Sequence, residues 1–423
     1  MKYKLSKFNY NFTIDSKTMG IYNTLSKALI GLDLQEYEQL NMYSNNMIPK
    51  EKEQVYLDNG ILIPYTKNEN NVVNCSRINS IIDSTVAVYR ILPTSACNAR
   101  CFYCYEDRRN AVFMNKETAE QVCQFISKQS ENRAVKIQWF GGEPLMNVEI
   151  IDYITFLLRR KYDDSKISFS MITNGSLIND KILQKMVNSW NLSNVQITLD
   201  GTLHEYNKRK NYIGIQNAFE IVKNNIILLV NSGINTHIRL NYDFDNYIDI
   251  INLIEELGKT LPHVNNLDVY SYHLYGANND SAIDTKKEEE WFAIQNALIE
   301  QGFSTPLRSF SLKCRKSQCF ACQTNSFVIS SNGELYKCSM AIDDKKAKVG
   351  DVWSGIANYK VLERWCYPGL KEKCIDCVYL PICQGGCRAG DLNYSSENCF
   401  VQKDFIDDVL RERIKFLKSK KVK

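Results

Sequence analysis

Six short apolar runs alternate with longer amphipathic stretches through the middle of the chain. The apolar runs predict β-strands over residues 86–92, 135–140, 167–172, 195–199, 236–240 and 267–274. The stretches between them carry apolar residues at three-to-four spacing and predict helices over residues 115–130, 147–164, 176–190, 212–232 and 247–261. A repeated strand-then-helix order is typical of a parallel sheet. Six repeats within residues 86–310 therefore predict an α/β fold, a partial (β/α)6 barrel.

Polar turns follow the predicted strands, at the end of the barrel where such folds keep their active sites. The candidate site residues are Gly141, Gly142, Glu143 and Pro144 after the second strand, Thr173 and Asn174 after the third, Asp200 after the fourth, and Arg239 and Asn241 along the fifth. Two adjacent glycines let the backbone approach a ligand closely, and the carboxylate of Glu143 can accept hydrogen bonds from an ammonium group. Thr173 and Asn174 suit the hydroxyls of a ribose.

Three cysteines lie on the loop after the first strand. They are Cys97, Cys101 and Cys104, in the order Cys-Asn-Ala-Arg-Cys-Phe-Tyr-Cys. Three thiolates on one short loop can hold three irons of a four-iron four-sulfur cluster and leave the fourth iron open to another ligand. A zinc ion would need a fourth ligand nearby, and this segment offers no histidine. The spacing therefore favours an iron-sulfur cluster with an open iron.

The Cys-x3-Cys-x2-Cys loop and the Gly-Gly-Glu turn resemble the signatures of radical S-adenosylmethionine (SAM) enzymes. The resemblance implies that the open iron chelates SAM and that the turn from Gly141 to Pro144 receives its methionine end. It also implies contacts to SAM from Tyr103, Asp200, Arg239 and Asn241. In that family the reduced cluster passes one electron to SAM, and a 5'-deoxyadenosyl radical then removes a hydrogen atom from the substrate. An electron donor such as flavodoxin or ferredoxin is implied as a partner.

A second, denser cysteine group lies within residues 311–423. Its members are Cys314, Cys319, Cys322, Cys338, Cys374, Cys377, Cys383, Cys387 and Cys399. Their order resembles the SPASM extension, the C-terminal module of radical SAM enzymes that modify peptides and proteins. The turn Ser331-Asn332-Gly333-Glu334 lies between two strand-like runs, so it predicts a hairpin that brings Cys322 and Cys338 together.

The SPASM resemblance implies two auxiliary four-iron four-sulfur clusters, and hence three clusters in the chain. One would use Cys322, Cys338 and Cys387 with a cysteine shortly upstream, and the other would use Cys374, Cys377, Cys383 and Cys399. The upstream ligand stays open: Cys314 is favoured, Cys319 is the alternative, and a further arrangement leaves an iron open to substrate. Two structural zinc ions are the competing interpretation. Cys75, Cys123 and Cys366 are interpreted as ordinary thiols.

Residues 1–85 have a different pattern. Apolar and polar residues alternate over residues 2–14, residues 22–40 are helix-like, and Asp58-Asn59-Gly60 predicts a hairpin within residues 55–65. This combination resembles a small winged-helix module. Peptide maturases of the radical SAM family carry such a module, whose exposed strand edge binds the leader of a precursor peptide. A structural cap for the barrel is the alternative.

Composition narrows the cellular setting. The chain has 15 cysteines in 423 residues, no apolar run long enough to span a bilayer, and no signal-peptide core at its N-terminus. A cytoplasmic location is therefore expected, with cysteines that bind metal rather than form disulfides. The net charge of +4 is too small to indicate a nucleic-acid partner, and no membrane partner is expected.

Together these observations predict a maturase of a ribosomally synthesised peptide that installs a thioether or another side-chain crosslink. The alternative is an enzyme like the anaerobic sulfatase maturases, which form formylglycine. Those enzymes place an aspartate directly after the cysteine that corresponds to Cys338, where this chain has Ser339, although Asp343 and Asp344 lie close behind. A peptide epimerase is the third interpretation, but it needs a cysteine hydrogen donor in the barrel, and none can be singled out. A non-catalytic iron-sulfur protein, from a different class, would have no use for the Gly-Gly-Glu-Pro turn.

Overall fold

The computed structural model describes residues 2–42, 48–82, 85–106, 111–130, 133–274, 284–312, 319–342, 344–393 and 405–421. The N-terminal part contains strands β1 (Tyr3–Leu5), β2 (Asn9–Asp15), β3 (Thr18–Asn23), β4 (Leu29–Asp33) and β5 (Leu62–Pro64). Its helices are α1 (Leu34–Asn41), α2 (Lys50–Asp58) and α3 (Glu69–Ile82). Strands β2, β3 and β4 form one antiparallel sheet, and β1 pairs with β5.

Two element predictions for this part of the chain are wrong. The stretch 22–40 is not one helix, because it contains strand β4, which pairs with β3, and becomes helical only in α1. The hairpin predicted within residues 55–65 is replaced by the end of α2 and by β5. Gly60 takes a left-handed conformation with φ of +71° just past that helix. The Asn59-Gly60 pair therefore ends a helix, which is the other common use of glycine in this conformation.

The six predicted barrel strands are all present and parallel. They are β6 (Val86–Ile91), β7 (Ala134–Trp139), β8 (Ile167–Thr173), β9 (Leu192–Leu199), β10 (Asn235–Tyr242) and β11 (Leu267–His273). The helices beside them are α4 (Lys116–Ser130), α5 (Val148–Arg159), α6 (Asp180–Gln184), α7 (Leu203–Lys210), α8 (Ala218–Asn231), α9 (Tyr247–Thr260), α10 (Asp284–Glu300) and the short α11 (Pro306–Ser309).

The barrel helix predicted over residues 212–232 is shorter than expected. It begins only at Ala218, and the unpredicted helix α7 precedes it. Asn211 and Asn217 both take left-handed conformations, with φ of 45° and 55°. A helix cannot pass through residues in that conformation, so α7 ends before Asn211 and α8 begins only after Asn217.

The C-terminal part adds short strands and helices. They are β12 (Phe327–Ile329), β13 (Glu334–Tyr336), β14 (Gly350–Asp351) and β15 (Gly355–Ile356), with α12 (Tyr359–Cys366), α13 (Glu372–Ile375), α14 (Leu380–Cys383), α15 (Arg388–Asp391) and α16 (Ile406–Lys421). The predicted hairpin is confirmed, because β12 and β13 pair in antiparallel fashion around Gly333.

The C-terminal hairpin extends the barrel sheet. Strand β12 lies parallel to β6, with Phe327 opposite Tyr89, so one ten-stranded sheet runs from β11 to β15. The rings of Phe125 and Phe327 lie 5.6 Å apart inside the main core, which continues from barrel to hairpin. This continuity places the loop containing Cys338 beside the first barrel strand.

The N-terminal part packs mainly against the C-terminal part. Phe8, Val73 and Leu380 form a buried apolar cluster, and Tyr10 donates a hydrogen bond of 2.6 Å to Asp407. The Lys7 ammonium lies 2.9 Å from the Asp376 carboxylate. In the part of the chain that the structure describes, no helix is both long and apolar enough to cross a membrane.

Candidate active site and cysteine clusters

The loop that contains Cys97, Cys101 and Cys104 is fastened to the barrel by its backbone and polar side chains. The Asn98 amide oxygen accepts a hydrogen bond of 2.7 Å from the Asn174 side chain. The Arg100 N–H donates to the Lys210 carbonyl at 2.8 Å, and the Arg100 guanidinium donates to the Cys97 carbonyl at 2.7 Å. Cys97 is buried, whereas Cys101 and Cys104 are half-buried.

The two glycines after β7 pack directly against the start of this loop. Glu143 N–H donates to the Ala96 carbonyl at 2.8 Å, and Gly142 N–H donates to the Thr94 carbonyl at 3.2 Å. A Cβ at Gly142 would lie 2.2 Å from the Ala96 oxygen, and one at Gly141 would lie 2.4 Å from the Thr94 oxygen. Both neighbours are backbone atoms, so neither position has room for a side chain.

Glu143 joins the turns after β7 and β8. Its carboxylate is fully buried and accepts hydrogen bonds from Thr173 Oγ1 and the Asn174 N–H, each 2.7 Å long, and from the Leu145 N–H at 3.1 Å. Burial raises the pKa of Glu143, while these donors act in the opposite direction. Pro144 is buried and starts the following turn. The predicted residues from these two turns therefore form one hydrogen-bonded unit.

Asp200 lies at the centre of a buried polar triad with Tyr103 and Lys210. Tyr103 donates to Asp200 Oδ2 at 2.7 Å, and Lys210 Nζ donates to the Tyr103 oxygen at 2.8 Å. Burial alone would lower the pKa of Lys210, but the nearby Asp200 and Tyr103 outweigh it and raise that pKa. Burial is the main cause that raises the pKa of Tyr103, and the neighbouring Asp200 raises it further. The triad therefore holds a lysine cation, a carboxylate and a neutral phenol.

One oxygen of this triad is left without a partner. Asp200 Oδ1 is buried and has no hydrogen-bond partner among the residues that the structure describes. A buried carboxylate oxygen without a donor is costly, which indicates that a ligand completes the site. Lys210 was not predicted, because it ends the basic run 208–210, and such a run by itself indicates only a solvated helix end.

The two predicted residues of β10 lie on one face of the strand and contact each other. Arg239 Nε donates to Asn241 Oδ1 at 2.9 Å. The Arg239 guanidinium lies 3.6 Å from the centre of the Tyr272 ring on β11. This stacking and the hydrogen bond orient a cation inside the barrel.

Arg90 is a functional candidate that no sequence motif indicates. Its guanidinium donates to Gln138 Oε1 at 2.8 Å and to Ser339 Oγ at 2.6 Å. It lies 4.8 Å from the ring centre of Phe140 and 5.1 Å from that of Phe320. Arg90 therefore links the barrel to the residue after Cys338. The available signal was a charged residue within the apolar run 86–92, on the alternate face from Tyr89.

The C-terminal hairpin gathers thiols of the first predicted auxiliary cluster. Cys338 lies within electrostatic range of Cys319 and Cys387, and Cys322 lies within range of Cys319. Burial raises the pKa of Cys322 to about 12 and that of Cys338 to about 11. Metal binding by these thiols must therefore release protons. Cys314, the favoured upstream ligand, lies outside the described residues.

The second predicted auxiliary set is described in part. Cys374, Cys377 and Cys383 are half-buried on consecutive short turns, and Cys399 lies outside the described residues. The three residues between Cys383 and Cys387 all have positive φ angles, of 60°, 90° and 87°. Among the described residues, no three His, Cys, Asp or Glu side chains lie close enough together to bind a single metal ion. A four-iron four-sulfur cluster does not need such a group, because each thiolate binds a different iron.

The geometry around the first cysteine loop fits a cluster that binds SAM. Three thiols on one loop are the soft ligands that such irons take. The two glycines let the turn after β7 pack directly against that loop, and the unpaired oxygen of Asp200 offers an acceptor for a hydroxyl or ammonium donor. The donor set, the close packing of the turn and the unsatisfied oxygen therefore agree.

Comparisons with known proteins agree with this geometry. The radical SAM superfamily model matches residues 91–257. A cysteine-type anaerobic sulfatase-maturating enzyme of Clostridium novyi is 26% identical over 340 residues, which cover 70% of this chain and 86% of that enzyme. An uncharacterised protein of Methanocaldococcus jannaschii is 34% identical over 93 residues, and this chain covers only 32% of its length.

Two solved structures share the fold. The structure described as native anSMEcpe with bound AdoMet and Cp18Cys peptide has a TM-score of 0.56 and 18% identity, covering 79% of this chain and 97% of that one. Streptococcus suis SuiB bound to S-adenosylmethionine has a TM-score of 0.53 and 17% identity, covering 91% of this chain and 95% of that one. Residues 91–257 are thus a radical SAM domain, the type of domain that uses a four-iron four-sulfur cluster and SAM, and the Clostridium novyi relative that matches most of this chain is an enzyme.

Proposed function

We propose that this protein is a maturase that modifies a ribosomally synthesised precursor peptide and forms a thioether or another side-chain crosslink. The observation that carries the proposal is the position of the hairpin β12–β13. It extends the barrel sheet next to β6 and puts Ser339, and hence the loop of Cys338, in contact with Arg90 inside the barrel. A cysteine-rich module in that place can exchange an electron with a substrate held in the barrel.

The first cluster would be held by Cys97, Cys101 and Cys104. The turn from Gly141 to Pro144, with Thr173, Asn174, Tyr103, Asp200, Arg239 and Asn241, would surround SAM. When bound, the cluster and SAM supply a 5'-deoxyadenosyl radical. The protein's own residues orient the ligand: Glu143 fixes the two turns, and the Tyr103–Asp200–Lys210 triad ties the cysteine loop to the end of β9.

Two auxiliary clusters would take the remaining ligands. The upstream ligand of the first would be Cys314 or Cys319; Cys319 lies in electrostatic range of Cys322 and Cys338, and Cys314 lies outside the described residues. Cys374, Cys377, Cys383 and Cys399 would hold the second.

Thioether formation breaks a C–H and an S–H bond and makes a C–S bond. The hydrogen atom would leave in 5'-deoxyadenosine and a proton would leave to solvent. An auxiliary cluster held by the C-terminal cysteines would supply the acceptor for the remaining electron, with flavodoxin or ferredoxin as the final acceptor.

The N-terminal module would bind the leader of the precursor. Strand β4 is an edge of the three-stranded sheet, and an edge strand can accept an extended peptide as a further strand. The opposite edge, β2, is engaged by α16, since Arg411 donates to the Thr13 carbonyl at 2.8 Å. The edge at β4 is therefore the preferred position for a leader peptide.

The sulfatase-maturase type is the second candidate, favoured by the similarity to the Clostridium novyi enzyme over most of both chains. The position after Cys338 argues against it. Ser339 is buried and its hydroxyl accepts a hydrogen bond from Arg90, so this position offers no carboxylate base. Asp344 instead caps a turn by accepting from the Lys346 N–H at 2.9 Å, and Asp343 lies outside the described residues.

Mass spectrometry of products separates the two functions. The reconstituted protein would be incubated with SAM, dithionite and either a cysteine-containing precursor peptide encoded beside its gene or the Cp18Cys peptide. Loss of two hydrogen atoms together with loss of thiol alkylation in the precursor supports crosslinking. Conversion of the Cp18Cys cysteine to an aldehyde that reacts with hydrazines would support the sulfatase type and contradict the proposal.

A Ser339→Asp variant is a matched control for this test. If Ser339 excludes formylglycine chemistry by lacking a carboxylate, the variant should gain aldehyde-forming activity on the Cp18Cys peptide, while the unmutated protein should have none. Aldehyde formation by the unmutated protein at the rate of the variant would show that a base other than residue 339 acts, and the sulfatase type would replace crosslinking.

A further inference from the structure

Arg77, on helix α3 of the N-terminal part, reaches into the C-terminal cysteine region. It is only 3% exposed. Its Nε donates to the Gln384 carbonyl at 3.2 Å, and its NH1 donates to the Pro368 carbonyl at 3.1 Å. A Cβ added at Gly385 would lie 3.3 Å from the NH2 atom. The guanidinium is thus held against the loop that directly follows Cys383.

Arg77 is a buried cation with neutral hydrogen-bond partners. Among the residues that the structure describes, no carboxylate forms an ion pair with it; Asp391, which lines the same small cavity, pairs with Lys371 and Arg388. Burial lowers the pKa of Arg77, and the neighbouring Arg388 acts in the same direction. A buried guanidinium without an anion is costly, so an anion should complete this site.

The thiols around Arg77 belong to both predicted auxiliary clusters. The groups that favour its charge are Cys322 of the first set, and Cys374 and Cys383 of the second. Four thiolates outweigh the positive charge of an oxidised four-iron four-sulfur core, so a cluster bound there is an anion. A cation beside a cluster stabilises the reduced, more negative form and raises the reduction potential.

We propose that Arg77 supplies a fixed positive charge to the auxiliary clusters, so that the N-terminal module tunes the electron acceptors of the enzyme. This inference rests on the cluster ligands of the proposed function. It makes Arg77 a positioning residue, which acts on the reaction through the potential of a cluster and has no contact with substrate.

Other contacts of the N-terminal module converge on the same cysteine segment. Lys7 Nζ lies 3.1 Å from the Ile375 carbonyl oxygen and 2.9 Å from the Asp376 carboxylate, between Cys374 and Cys377. Thr24 donates to the Val378 carbonyl at 2.5 Å. Cys374 itself packs at the edge of the buried Phe8 cluster. These contacts anchor the segment from Cys374 to Val378 to the same N-terminal module that carries Arg77.

The test is a potentiometric titration followed by electron paramagnetic resonance. The full chain would carry alanine at Cys97, Cys101 and Cys104, so that only auxiliary clusters contribute. Arg77→Met removes the charge with little change in length, and Arg77→Lys retains it. The matched control is Arg159→Met, because Arg159 also donates to a backbone carbonyl, that of Ser189 at 3.0 Å, but lies in the barrel.

The expected result is a more negative midpoint potential for at least one auxiliary cluster in Arg77→Met, with values near those of the parent in Arg77→Lys and Arg159→Met. Full iron content with unchanged potentials in Arg77→Met would overturn this inference alone. Equal iron loss in both Arg77 variants would also overturn it, because it would assign Arg77 a purely structural role. If the parent protein, which carries the three alanines, contained no iron, the assignment of the auxiliary cluster ligands would itself be wrong.

Discussion

Gly142 makes the tightest backbone contact of the candidate site. A methyl group there would lie 2.2 Å from the Ala96 carbonyl oxygen, a backbone atom that cannot move without the cysteine loop. We expect Gly142→Ala to abolish SAM cleavage, measured as 5'-deoxyadenosine, and to reduce iron content. Gly31→Ala is the control, since its methyl would meet only the ends of two side chains, Ile14 at 3.2 Å and Thr18 at 3.7 Å. Wild-type activity in Gly142→Ala would contradict the close packing.

The charge of Asp200 is the second residue-level test. Asp200→Asn keeps the shape of the side chain but leaves Lys210 buried without its anion. Breaking a buried ion pair costs about 3–5 kcal/mol, so thermal or denaturant unfolding should show a large loss of stability. Lys208→Ala breaks the exposed pair with Glu205 and should cost about 0–1 kcal/mol. Equal effects of the two variants would show that the triad contributes little.

Sequence motifs identify some of these residues and miss others for a physical reason. The cysteine spacing and the Gly-Gly-Glu turn are local, so they can be read from the chain. Lys210, Arg90 and Arg77 act through partners 107, 249 and 307 positions away, and only the fold brings these partners together. A lysine or arginine that reaches a site from a distant part of the chain therefore belongs to no motif that can be recognised in the sequence.

At the level of elements, the hydrophobic pattern predicted the barrel better than the N-terminal module. Barrel strands are buried apolar runs separated by long helices, and both features are visible in the sequence. The dipeptide Asn59-Gly60 is common both in hairpin turns and at helix ends. Here it ends a helix, because Tyr56 and Leu62 pack into the same buried cluster. The pairing of β12 with β6 joins residues far apart in sequence and could not be predicted.

Helix α4 provides a test of element packing through Cys123. Burial raises the pKa of Cys123 to about 12, from 9.0, so the folded state keeps this thiol neutral. Stability from this group is present below pH 9 and is lost as pH rises through about 12. At pH 8, iodoacetamide should modify the exposed Cys75 of the folded apo-protein and spare Cys123 until urea is added, as mass spectrometry can show. Modification of both thiols at equal rates would contradict the helix packing.

At the level of the whole molecule, the N-terminal module is part of the folded body. Phe8 is fully buried against Val73 of α3 and Leu380 of α14. Phe8→Ala should cost about 3–5 kcal/mol and lower the melting temperature of the whole chain. Leu34→Ala, at a side chain that is 45% exposed, should change stability by about 0.5 kcal/mol or less. A normal melting temperature in Phe8→Ala would show that the module moves independently.

The most direct test of the central claim is anaerobic reconstitution with iron and sulfide. Iron per chain would be counted, and 5'-deoxyadenosine would be measured after addition of SAM and dithionite. We expect about twelve irons per chain, for three clusters. We also expect 5'-deoxyadenosine from the unmutated protein and none from the variant with alanine at Cys97, Cys101 and Cys104. Zinc in place of iron, or no cleavage of SAM by the unmutated protein, would contradict the central claim.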